Sequence, residues 1–244
     1  MLAIAWFLIK ALPDLIEHTI LYLNIGAVQE GERLMFNGVP WQVKRLSFQS
    51  ELVNPVLNCA EFTVPIGELK GLYSRPTDDD ESWFPSNEGD WVLLDEGQGQ
   101  VISQTPSHVE VKLLGGARKS FAASDYFASP PINLSHGARA EIVFRISLKH
   151  QSDACSKIPD LLRQFVTNGL NDLVPTDQLM GADVEMLEVT DSAIIYEVEA
   201  DLSASAASEY ETVERRLTKL CVEACNRYNW EIPFQQIAIH SQKD

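Results

Sequence analysis

The chain opens on an unbroken apolar run, Met1 to Ile9, which Lys10, Asp14, Glu17 and His18 then interrupt. Such a run rises only about 14 Å as a helix, short of the roughly 30 Å of hydrocarbon in a bilayer. No basic residue precedes it and no small-x-small cleavage pattern follows it, so it does not read as a signal peptide. Two readings stay open, a buried core helix and the tail of a membrane helix. Pro13 predicts a break. Beyond it, Asp14 and Glu17 fall in a first helical turn, where acids complement the dipole. Leu12, Leu15, Ile16, Ile20 and Leu23 recur at helical spacing towards Gly26. Residues 1–26 thus read as an apolar helix and an amphipathic one, the second suited to a membrane surface or to a neighbouring domain.

An internal repeat follows. Glu30-Gly31-Glu32-Arg33-Leu34-Met35-Phe36-Asn37 recurs as Glu88-Gly89-Asp90-Trp91-Val92-Leu93-Leu94-Asp95, an offset of 58 from residue 31 to residue 89. Gln42-Val43 matches Gln100-Val101, and Leu69 matches Phe127, at the same offset. Each copy runs through short β-rich stretches punctuated by Gly, Pro and Asn, the mark of strands joined by tight turns. Two tandem small β-barrels are expected, over 27–73 and 86–137, each closing or pairing its edges. Gly97-Gln98-Gly99 reads as a turn between strands. Residues 74–85 read as a solvated acidic linker, with Trp83 and Phe84 plugged onto a barrel. Its Asp78-Asp79-Asp80-Glu81 lacks the alternating ligands and glycine of a calcium loop.

From Ala138 the texture changes. Ala140, Ile142, Phe144, Ile146 and Leu148 alternate with Glu141, Arg145, Ser147 and Lys149, with Val143 the exception on the wet face. Ile158, Leu161, Leu162, Phe165, Leu170 and Leu173 then recur at helical spacing. Two strands follow, Val184 to Val189 and Ile194 to Leu202, then a helix carrying Val213, Leu217, Leu220, Ala224 and Tyr228, and a last strand over Glu231 to Ile239. The order β-α-β-β-α-β over 138–244 is that of a ferredoxin-like α/β sandwich, and the fold class expected for the whole is α+β.

A formal charge of −16 repels phosphate backbones, which argues against nucleic-acid binding. Cys59, Cys155, Cys221 and Cys225 include no C-x-x-C pair and read as reduced thiols. No nucleophile elbow, zinc-protease helix motif, phosphate-binding loop or dinucleotide fingerprint occurs. The five histidines are scattered without metal-ligand spacing, and adjacency in Ser107-His108 is not a nucleophile–base geometry. No enzyme activity, metal or cofactor is expected.

Local residues add a resemblance. Gly31-Glu32 and Gly89-Asp90, the Gly99-x-Val101 step, Asn133-Leu134-Ser135 ahead of the sandwich, and Ile232-Pro233-Phe234-Gln235-Gln236 near its end stand in order. Together they resemble the small-conductance mechanosensitive (MscS-type) ion channel family, from pore-helix end through Sm-like β domain to C-terminal α/β domain. The resemblance implies family-motif positions at Gly31, Glu32, Gly89, Asp90, Gly99, Val101, Asn133, Ser135 and Pro233. It implies membrane or pore-helix positions at Ala3, Ala5, Trp6, Phe7, Ala11, Leu15, Ile16 and Ile20. It further implies an N-terminally truncated subunit of a homo-oligomeric ring, a heptamer by resemblance, contacting lipid and ions at a cell inner membrane with its bulk in the cytoplasm. Three departures stand beside it. There are two barrels where the family has one. The family's Ile-Pro-Asn-Ser loop reads Val64-Pro65-Ile66-Gly67 and Ala122-Ala123-Ser124-Asp125. Its Gly/Ala stripe is reduced to Ala3, Ala5 and Ala11. The sparse stripe leaves a non-conducting, membrane-associated scaffold as the alternative.

Overall fold

The computed structural model describes residues 2–233, which form two compact units divided between Asn133 and Leu134. The architecture is α+β, with three antiparallel sheets among the described residues.

The first unit begins with one helix, α1 (Leu2–Tyr22), rather than two: Pro13 lies inside it and does not break it. The proline ring fixes φ near the helical value, so its cost of about 3 kcal/mol falls on one missing N–H and a crowded preceding turn, not on chain direction. The helix stops before Gly26, and Asn24 turns the chain with φ 56°.

Strands β1 (Arg33–Phe36), β2 (Val39–Arg45), β3 (Gln49–Val53), β4 (Glu61–Pro65) and β5 (Ser74–Arg75) pair in the order β4-β3-β2-β1-β5. The second copy repeats this with β6 (Trp91–Leu94), β7 (Gly97–Gln104), β8 (His108–Leu113), β9 (Arg118–Ala122), the short helix α2 (Ala123–Ala128) and β10 (Ile132–Asn133), in the order β10-β6-β7-β8-β9. Pairing does not join the outer strands of either sheet, so neither is closed by hydrogen bonds into the expected barrel. A 3-10 turn at Ile66–Leu69 in one copy and α2 in the other supply buried side chains instead.

The repeat survives in atomic detail. Gly31 donates to the Val43 carbonyl at 2.8 Å and Gly89 to that of Val101 at 2.9 Å. Val43 donates to Glu32 at 2.9 Å and Val101 to Asp90 at 2.8 Å. Both sheets carry a register bulge at matching places, Val43/Arg45 and Val101/Ser103. Gly97-Gln98-Gly99 is strand, not turn, and its second glycine serves close packing: a Cβ on Gly99 would lie 2.6 Å from Val111 Cγ1. One apolar core spans both copies, running from Leu34, Trp41 and Leu52 to Phe84, Val101 and Tyr126.

In the second unit β11 (Ala138–Ser147), α3 (Lys157–Leu170), β12 (Leu179–Val189), β13 (Ala193–Leu202) and α4 (Tyr210–Tyr228) follow in turn. The sheet order is β11-β13-β12, all antiparallel. Alternation places Ala140, Ile146, Tyr196 and Val198 in the core. Ile158, Leu162 and Val166 of α3 and Val213, Leu217 and Leu220 of α4 complete it. Gly169 permits the close approach of the two helices, since a Cβ there would sit 2.2 Å from Leu220 Cδ2. Leu173, expected on the helix, lies beyond its end. Of the expected last strand, residues 231–233 are unpaired in any ladder and the remainder lies outside the described residues. Glu231 is nonetheless fixed beside the end of β11, accepting from Ser147 N at 2.8 Å and donating to His150 Nε2 at 2.9 Å.

Candidate functional site

Of the expected motif residues, Asp90 and Asn133 meet in the second copy, while Glu32 of the first meets Ser74. Gly31 and Gly89 adopt φ of 83° and 94°, which favours glycine, and each aims the next residue's acid towards the strand that ends its copy. In the second copy Asp90 Oδ2 accepts from the Asn133 amide at 2.9 Å and from Asn87 N at 2.8 Å. In the first, Glu32 accepts from the Ser74 hydroxyl, whose oxygen in turn accepts from Gln29 N at 2.8 Å. Gln42 and Gln100 reach back to the carbonyls of Gly31 and Gly89 at 3.5 and 3.0 Å. An acid at the entry thus grips the exit in both copies. Val101 is core, and Ser135 and Pro233 belong to the other unit. The sequence singled out Asp90 and Asn133 separately; that they bond is a tertiary fact.

The pore-helix candidates Ala3, Ala5, Trp6, Phe7, Ala11, Leu15, Ile16 and Ile20 all lie on α1. Trp6, Leu15, Ile16 and Ile20 are exposed, an apolar surface that water solvates poorly. Lower on the helix, Leu15, His18, Thr19 and Tyr22 face Phe48 and Ile66 across a cavity of about 200 Å³, with the Tyr22 and Phe48 rings 5.8 Å apart. No helix among the described residues is long and apolar enough to cross a membrane.

Charge collects elsewhere. On the sheet of the second unit Glu141, Glu197 and Glu199 bring carboxylate oxygens within 4.8 Å of one another, half-buried or exposed. Arg139 neutralises their flank, pairing with Glu199 at 2.8 Å and with Asp201 at 2.7 Å, and holds the Asp201 carboxyl below its usual range. Ser107 Oγ and Thr105 Oγ1 both lie 3.1 Å from His108 Nδ1 on an exposed turn, where they close the hairpin. Burial, with each other's proximity, pushes the Cys221 thiol up to about 12, and burial pushes Cys225 to about 11, so both stay protonated.

Sequence reasoning missed four buried polar residues that organise the first unit: Arg33, Asn54, Ser86 and Gln104. The one available signal was an arginine beside the core residue Leu34 on a strand.

Neither a protein-family model nor a curated protein sequence matches this chain. Among solved structures, Helicobacter pylori MscS in its closed state is similar with a TM-score of 0.47 and 14% identity, over 66% of this chain and 60% of that chain. Arabidopsis thaliana MSL1 is similar with a TM-score of 0.40 and 13% identity, over 62% of this chain and 54% of that chain. The chain therefore spans under two thirds of the length of either channel.

Proposed function

We propose that this chain is a subunit of an MscS-like mechanosensitive ion channel. In this reading α1 contributes to the membrane side, and the β copies, as Sm-like domains, with the ferredoxin-like unit form the cytosolic vestibule of a ring. The observation that supports it is the Asp90–Asn133 bond of 2.9 Å. It joins the Gly-Asp entry to the Asn-x-Ser exit, two motif elements that the family resemblance picks out independently. Membrane tension would then act on a closed–open equilibrium during osmotic stress, because the wider state occupies more membrane area. A ring of about seven subunits in the inner membrane follows from the same resemblance.

A second reading, a membrane-associated scaffold that does not conduct, is favoured by Lys10, Asp14 and Glu17 lying within α1. Light scattering of the chain in mild detergent, followed by ion flux after reconstitution, separates the two. A ring that passes ions under tension supports the channel. A ring without flux supports the scaffold, and a monomer overturns the ring. In a conducting ring, changing Asp78, Asp79 and Asp80 to Asn should lower the cation-over-anion permeability ratio, since all three are exposed. An unchanged ratio removes them from ion selection.

A further inference from the structure

The acidic stretch, expected as a solvated linker with Trp83 and Phe84 plugged onto a barrel, is held as well through Glu81 and Ser82. Arg33 on β1 has only 5% of its surface exposed. A guanidinium does not shed its proton in a protein, so its burial needs partners. Three come from the stretch itself. The Glu81 carboxylate lies 3.3 Å away, the Ser82 carbonyl accepts at 2.9 Å, and the Trp83 ring covers the guanidinium with its centroid at 4.9 Å. Arg75 grips Glu81 from the solvent side through two hydrogen bonds of 2.7 and 2.5 Å, and holds its carboxyl below the usual range.

One residue further on, the chain reaches the second copy. Phe84, 2% exposed, stacks on Tyr126 with centroids 5.7 Å apart and planes 7° from parallel. Ser86 Oγ lies 3.0 Å from the Tyr126 hydroxyl and donates to the Gln104 side-chain oxygen at 3.2 Å. Gln104 then turns back, its amide donating to the Val56 carbonyl of the first copy at 3.1 Å. No strand of one sheet pairs with a strand of the other.

We propose that residues 78–86 are a strap that fastens the two β copies into one cooperative body, with Glu81 as its pin. Removing the Glu81 charge leaves Arg33 buried without its counter-charge, with only the Ser82 carbonyl and the Trp83 ring beside it, which costs more than the pair contributes. Lifting Ser82 and Trp83 lets water reach Arg33, and the same movement draws Phe84 off Tyr126. The copies then open one at a time. Half of the pin, Arg75–Glu81, faces solvent and is screened by salt, so the strap also weakens as ionic strength rises.

Hydrogen exchange of the full chain, followed peptide by peptide, tests this. In the wild type, β2–β3 and β7–β8 should open with one shared protection. In Glu81→Gln, and separately in Phe84→Ala, which leaves the ion pairs intact, the two should part by about tenfold or more in exchange rate. Raising NaCl from about 0.05 to about 0.5 M should narrow the gap between the wild type and Glu81→Gln, the variant serving to cancel general screening of the net charge. Arg75→Gln, on the exposed side, supplies a milder version if Glu81→Gln does not fold, with the same order of opening. Independent exchange of the copies in the wild type, or shared protection in every variant that folds, overturns the strap. A gap that ignores salt overturns its ionic response.

Discussion

At the offset of 58 residues, Trp41 of the first β copy falls where the second has Gly99, and in the ladders Phe62, opposite Leu52, falls where the second has Lys119, opposite Val111. The first copy fills its interior with that aromatic pair, centroids 4.5 Å apart and edge to face, and Trp41 Nε1 donates to the Phe36 carbonyl at 3.2 Å. The second leaves the position empty so that Val111 can move in, and places its aromatics at Phe121 and Tyr126, where the ladders and the buried turns of the first place Val64 and Leu69. Backbone geometry, glycine turns, bulge and entry clamp are shared; the filling is not. The lesson is that a repeated backbone is kept by its turns and clamps, while packing diverges as each copy acquires a different neighbour. For the second copy that neighbour is the strap residue Phe84.

The largest test exchanges nothing and only empties the first copy. Trp41→Ala should cost about 4 kcal/mol in urea unfolding, as large aromatic truncations in cores do. A loss under about 1 kcal/mol would mean that the aromatic pair is not what fills that copy. Next, Gly99→Ala should cost about 2 kcal/mol, because the new methyl meets Val111 Cγ1 at 2.6 Å and the Lys112 carbonyl at 3.0 Å. Tolerance of this change would show that the close approach is not required and that the copies differ by drift alone.

Smaller and equal effects sharpen the shared part. Gly31→Ala and Gly89→Ala should each cost about 1 kcal/mol from the positive φ alone, since neither new Cβ meets an atom within 4 Å. Unequal costs would break the equivalence of the clamps. The smallest effect is in acid. Glu81 of the strap and Glu96, paired with Lys119 in the second copy, both have carboxyl pKa values lowered, first by the hydrogen bond to their cation. Each contributes stability that is present above the unfolded value of about 4.5 and is lost as pH falls through the lower folded value. Carboxyl titration by NMR should find both below the ordinary range. Glu81→Gln should remove more acid sensitivity than Glu96→Gln, because only Glu81 faces a buried arginine.

Much of the fold was legible in the chain. The Gly, Pro and Asn punctuation of the first copy announced tight turns, and at one of them Asn37 and Gly38 both take positive φ, 53° and 76°. Alternation in Ala138–Ser147 and helical spacing in Tyr210–Tyr228 translated directly into β11 and α4. Pro13 misled because a proline signal reports a local cost, whereas the helix continues if the flanking turns outweigh it. Gly97-Gln98-Gly99 misled because glycine marks both turns and close approaches, and only the neighbour across the sheet, Val111, says which.

The sequence by itself determined the repeat and most of the element types, because those depend on near neighbours and on periods of two or 3.6 residues. Tertiary structure alone decided that Asp90 reaches Asn133, that Arg33 is roofed by Trp83, and that Phe84 enters the second copy. Each of these joins residues 40 or more apart in the chain, either directly or through the copy they dock on. No local propensity encodes such a meeting; it follows from which buried charge or ring is left needing a partner once the strands have paired.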